Sequence, residues 1–148
     1  RRSSTLVNPG KGNDRGSRVR EPRGIFAPVS FLDDLKYNED GLIPAIAQDH
    51  ASGEVLMMAW MNRESVQRTL ETGLCTYWSR SMQKFWVKGE SSGHVQKLLR
   101  MSVDCDQDVL LMQIEQTGAA CHESYRSCFF RDITREGVVP NDTPKLID

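Results

Sequence analysis

The chain is 148 residues long, 39% hydrophobic and 26% charged, with a formal net charge of −1, and at that length folding buries roughly 68–70% of the extended surface, enough for one domain with a real core. The near-neutral charge hides a split: residues 1–23 hold seven Lys/Arg against two Asp/Glu, giving +5, and residues 24–148 hold twelve against eighteen, giving −6. No apolar run approaches the ~20 residues of a membrane helix, no apolar leader precedes the cysteines, and four cysteines are too few for a disulfide scaffold; the expectation is a cytoplasmic protein in a reducing compartment with no membrane partner.

Residues 1–23 combine Arg, Ser, Gly, Asn and Pro with hardly any large apolar side chain and read as a disordered basic tail. A targeting remnant fits less well, because Asp14 and the Gly, Asn and Pro content spoil an amphipathic helix. A nucleic-acid arm fits least, since no aromatic is interleaved with the arginines, so no nucleic-acid partner is expected. Residues 24–148 form the expected single domain. Its lead-in, 31–35, is short and helical. Apolar runs at 42–48 and 54–60 flank Asp49-His50-Ala51-Ser52-Gly53, which reads as a β-hairpin. Asn62 can cap a helix running to Thr72, with Val66 and Leu70 on one face and Gly73 as its stop. Strands are expected at 75–79, 85–88, 97–103, 109–115 and 127–131. Strands dominate and connections are short, so the fold class is α+β, mainly antiparallel sheet with one or two helices.

The densest chemical feature is Asp104-Cys105-Asp106-Gln107-Asp108. On an extended backbone the three carboxylates share one face and Cys105 takes the other. Like charges that close favour protonation or a divalent cation, and oxygen-only donors favour a hard ion such as Mg²⁺. An EF-hand loop fails because Val109 stands where that loop needs Gly, and the apolar residues 109–112 belong in a strand. A solvated acidic turn is the bland alternative. Cys105, Cys121 and Cys128 lack any Cys-x-x-Cys spacing. Three thiolates and an open position suit catalytic zinc, which lowers the pKa of its water from ~15.7 to about 7; ordinary buried cysteines are the alternative. Cys75 fits that alternative best. The zinc-deaminase signature is absent. Between residues 77 and 94, the basic Arg80, Lys84 and Lys88 lie among hydroxyls such as Ser79 and Ser81 and lead to a Gly-containing loop, a pattern suited to phosphate recognition; His94, just after Gly93, reads as a general base or as a simple loop histidine. Trp78 and Trp86 are expected to pack in the core.

These stretches together resemble one family, the phosphoribosyl-AMP cyclohydrolases of histidine biosynthesis. The likeness rests on Trp78-Ser79-Arg80-Ser81, on Trp86 with Lys88-Gly89-Glu90-Ser91-Ser92-Gly93-His94, and on Asp104-Cys105-Asp106-Gln107-Asp108. Gln116-Thr117-Gly118, Cys121-His122 and Ser127-Cys128-Phe129 complete it, over about residues 30–132. The resemblance implies hydrolytic opening of the adenine ring of phosphoribosyl-AMP at the N1–C6 bond, the third step of histidine biosynthesis, with zinc activating the attacking water. It implies zinc ligation by Cys105, Cys121 and Cys128 and Mg²⁺ ligation by Asp104, Asp106 and Asp108. It further implies a homodimer whose zinc ligands come from both chains, and leaves His94 and His122 as alternative bases. Substrate contacts are expected from Ser79, Arg80, Ser81, Lys84, Lys88 and Glu90. Two departures stand out: Glu123-Ser124 replaces the usual Thr-Gly, and Met82 replaces a second Arg. Only sixteen residues follow Asp132, so a monofunctional form is expected. A non-catalytic zinc module is the competing reading.

Overall fold

The computed structural model describes residues 30–146; the predicted basic tail, residues 1–23, lies outside them. A 3-10 turn, Ser30–Asp34, leads in. Strands β1 (Leu42–Asp49) and β2 (Val55–Asn62) form the expected hairpin, with the polar turn 50–54 between them. Ile43, Ala45 and Ala47 alternate inward along β1 and are fully buried, as period-2 patterning requires.

Helix α1 (Arg63–Thr72) starts and stops where predicted. The Asn62 side chain accepts from the Ser65 backbone N–H while the Ser65 hydroxyl accepts from the Asn62 N–H, a reciprocal capping box. Gly73 ends the helix, its N–H donating to the Thr69 carbonyl. The helix lies against β2 and the strand that follows it, and buries Val66 in the core. Strands β3 (Thr76–Ser79) and β4 (Lys84–Val87) make a second hairpin. One of its faces stacks Tyr77 on Trp86 at 4.8 Å, and the other sets Trp78 edge-on to Phe85 at 4.9 Å.

Strands β5 (Gln96–Val103) and β6 (Leu110–Gln116) complete a four-stranded sheet of order β2-β1-β6-β5. Pairing is antiparallel except between β1 and β6, which run parallel. The α+β class with mainly antiparallel pairing therefore holds, with one parallel step at the sheet's centre. Leu110, Met112 and Ile114 of β6 join the β1 residues and Tyr77 in the core.

The expected strand at 127–131 is not formed. Residues 127–130 are irregular, and the strands lie later, as β7 (Arg131–Thr134) and β8 (Gly137–Pro140), a hairpin exposed along its whole length. The apolar pair Phe129-Phe130 suggested a strand, but Phe130 instead stacks on Tyr125 at 3.8 Å, closing the loop that precedes the hairpin.

Candidate active site

The acidic cluster is the connection between β5 and β6. Its backbone is a turn rather than the extended segment expected, so alternation is not what gathers the carboxylates. The Asp104 carboxylate accepts from the backbone N–H groups of Asp108 (3.0 Å) and Val109 (3.3 Å), and Gln107 adopts a left-handed φ of 62°. This curl brings one ligand oxygen from each of Asp104, Asp106 and Asp108 within 4.8 Å of the others, all solvent-exposed. The backbone N–H of Asp108 holds Asp104 below the usual carboxylate range. The hydrogen bond Asp108 shares with the Asp104 side chain, and the charges beside it, push Asp108 up. Such mutual strain favours a shared cation, and the all-oxygen donor set fits Mg²⁺.

Cys121 and Cys128 are brought together by a loop hung on β2. The Cys128 N–H donates to the Leu56 carbonyl at 2.8 Å and the Ser127 hydroxyl donates to Val55 O at 2.9 Å. Between the two cysteines, Arg126 donates to Glu54 at 2.9 Å and pairs with Asp49 at 3.3 Å, tying the loop to the β1–β2 turn. Desolvation and the neighbouring, hydrogen-bonded Cys121 push the Cys128 thiol up to about 11. Lys88, half-buried beside Trp86, has its pKa lowered by desolvation, while the two sulfurs' charges oppose that shift. Two thiols next to a cation suit thiolate ligation of a soft or borderline metal.

Cys105 does not join them. It is exposed on the acidic turn, its sulfur 3.8 Å from an Asp106 oxygen. Among the described residues only the three aspartates form a converging group of three or more candidate ligands. Strand order explains the separation. Cys128 is bonded to β2 at one edge of the sheet, whereas Cys105 follows β5 at the other edge.

His94 is held between two glycines. A side chain on Gly118 would come within 2.6 Å of the His94 ring, and one on Gly89 within 2.3 Å of the His94–Val95 peptide. Only bare backbone fits either place. His122 is exposed in the turn after Cys121. Ser79 and Ser81 face each other at 3.4 Å where β3 ends, Arg80 lies 5.0 Å over the Trp60 ring, and Lys84 opens β4. Glu90 alone of the predicted contacts lines the cavity of about 970 Å³ beside α1, whose wall also includes Arg63, Arg68 and Phe85. No cysteine or clustered aspartate borders that cavity.

Sequence reading did not find the buried chain Tyr77–Gln96–Gln116, which ends on the His94 carbonyl. It also missed the anchoring role of Arg126. These partners lie 19 to 77 residues apart, and no local spacing signals them. The Ser124 departure was visible, and the structure gives its meaning. Ser124 holds φ +69°, with its N–H donating to Cys121 O at 3.0 Å, so this turn keeps the conformation a glycine would adopt freely.

The fold and site together define a small α+β protein that carries oxygen donors on one turn and sulfur donors on another loop. A family model described as phosphoribosyl-AMP cyclohydrolase matches residues 57–130. A phosphoribosyl-AMP cyclohydrolase of Paracoccus denitrificans is 69% identical over 103 residues, covering 70% of this chain and 84% of the relative. One from Dinoroseobacter shibae is 68% identical over 113 residues, covering 76% and 91%, and one from Cereibacter sphaeroides is 66% identical over 113 residues, with the same coverage. The chain belongs to the phosphoribosyl-AMP cyclohydrolase family. That membership makes it an enzyme and sets aside the non-catalytic module. Among the described residues no helix is long and apolar enough to cross a membrane.

Proposed function

We propose that the chain opens the adenine ring of phosphoribosyl-AMP by adding water at C6 and breaking the N1–C6 bond, the third step of histidine biosynthesis. The observation that carries this reading is the paired thiols Cys121 and Cys128 beside Lys88, on a loop that begins three residues after the glycine holding the His94 ring. The substrate's C6 is electrophilic because N1 carries the phosphoribosyl group. Water adds there, a base takes its proton, and the departing N1 receives one. His94, fixed against Gly118, is the better-held candidate for moving that proton; His122 is the alternative.

Cys121 and Cys128 would hold zinc together with Cys105 of a second copy, since the sheet keeps a chain's own Cys105 apart from its thiol pair. Zinc when bound supplies activation of water at neutral pH and positive charge near the reacting carbon. Asp104, Asp106 and Asp108 would hold Mg²⁺, which supplies charge to offset the substrate's phosphates. Ser79, Arg80, Ser81, Lys84 and Lys88 carry donors suited to those phosphates, and Glu90 lies in the same segment. The working form is then a cytoplasmic homodimer with shared zinc ligands.

Metal removal tests the proposal. Ring opening, followed by ultraviolet absorbance, should fall at least about 100-fold after chelation. It should return fully only when both Zn²⁺ and Mg²⁺ are restored. Undiminished turnover by the chelated, metal-free protein would contradict it.

A further inference from the structure

We propose that Gln96 is a positioning residue whose buried amide, acting through Gln116, fixes His94 for the ring-opening step; this rests on the reading of His94 as a proton-transfer group. Gln96 is fully buried. A primary amide taken from water into the core is costly unless its hydrogen bonds are replaced, and here they are. Its oxygen accepts from the Tyr77 hydroxyl at 2.6 Å. Its nitrogen donates to the Gln116 side-chain oxygen at 2.8 Å and to the Met57 sulfur at 3.2 Å. The Gln116 nitrogen in turn donates to the carbonyls of His94 (3.2 Å) and Thr117 (3.0 Å).

The His94 peptide is thus gripped by Gln116 and packed against bare Gly89, while its ring lies on Gly118. At the other end, Tyr77 is fully buried in the core. The chain of bonds therefore runs from the core to the histidine. Stability alone does not call for an amide here. An apolar cluster of similar volume, with the partners Tyr77 and Gln116 made apolar as well, would fill the same space without the desolvation cost. What a fully satisfied buried network adds is a single fixed arrangement of the groups it joins.

Gln96→Leu in the metal-loaded, full-length enzyme tests this. We expect kcat to fall about 10- to 100-fold, the scale of a misplaced catalytic group. KM should stay within about twofold, and zinc content and the far-ultraviolet spectrum should not change. In a His94→Ala background, itself slowed but measurable, the same substitution should cost nothing further. An equal loss in both backgrounds, or no loss in the wild-type background, overturns the proposal. Should Gln96→Leu not fold, Gln116→Glu at its half-exposed position serves instead. It keeps the oxygen that accepts from Gln96 and removes the donor to His94, and the same two outcomes decide. Ring opening by the wild-type chain tests the underlying reading separately. Its absence would remove that reading, whereas wild-type turnover with a Gln96 effect indifferent to His94 would remove only the positioning role.

Discussion

Ser124 shows how much one residue can be asked to tolerate. Its φ of +69° is a conformation that L side chains adopt at a cost and glycine adopts freely. The turn it forms sets the path from Cys121 to Cys128, so the strain is held where the thiols are placed. Ser124→Gly should relieve it and raise stability by about 0.5–1 kcal/mol, read as a higher urea midpoint. An unchanged or lower midpoint would mean that the turn is not strained. Legibility at this scale was uneven. Asn62 and Gly73 announced the helix, because capping is local chemistry between residues three or four apart. Cys105, Cys121 and Cys128 announced themselves by type. Gln96 did not, because nothing beside it in the chain marks it as polar inside; its meaning comes from Tyr77 and Gln116, which meet it only in the folded chain.

The element that matters most for the site is the β1–β2 turn, since it anchors the thiol loop. Asp49 is buried and accepts from the Ser52 hydroxyl at 2.7 Å and the Ser52 N–H at 2.8 Å. These bonds, with Arg126 nearby, hold its carboxyl below the usual range despite desolvation. A depressed carboxylate stabilises the fold above its unfolded value, about 3.9, and loses that contribution as pH falls through its lower folded value. Asp49→Asn should therefore cost about 2 kcal/mol at neutral pH, and the gap from wild type should narrow below pH ~4. A gap that stays constant down to pH 3 would show that the charge is not what matters. Arg126 completes the same anchor. Arg126→Met should lower stability by about 2 kcal/mol and speed the reaction of Cys121 and Cys128 with a thiol reagent. Unchanged thiol reactivity would separate the anchor from the thiols. The hairpins and helix were readable because turn chemistry and alternation agree over short stretches. The exposed β7–β8 hairpin was not, since its strands bury nothing and carry no inward-facing pattern, while Phe129 and Phe130 pointed to the wrong segment. The acidic turn was half readable: its three carboxylates do converge, but curvature and not strand alternation gathers them.

Across the whole molecule, the sheet separates what the chemistry must join. Oxygen donors and Cys105 leave the β5 edge, and the thiol pair hangs from the β2 edge. A zinc site built from all three cysteines would then call for a second chain, as the family resemblance implies and composition alone does not. The charge split gains a meaning on the same scale. The −6 of residues 24–148 includes three carboxylates concentrated in five residues, so bound metal would change the local field far more than the formal −1 suggests. The central claim, a metal-dependent ring-opening enzyme, is tested most directly by assaying Cys121→Ala for both bound zinc and absorbance-detected turnover. The account predicts that zinc and activity are lost together, with activity down at least about 100-fold. A zinc-free Cys121→Ala protein that turns over phosphoribosyl-AMP at the wild-type rate would contradict it.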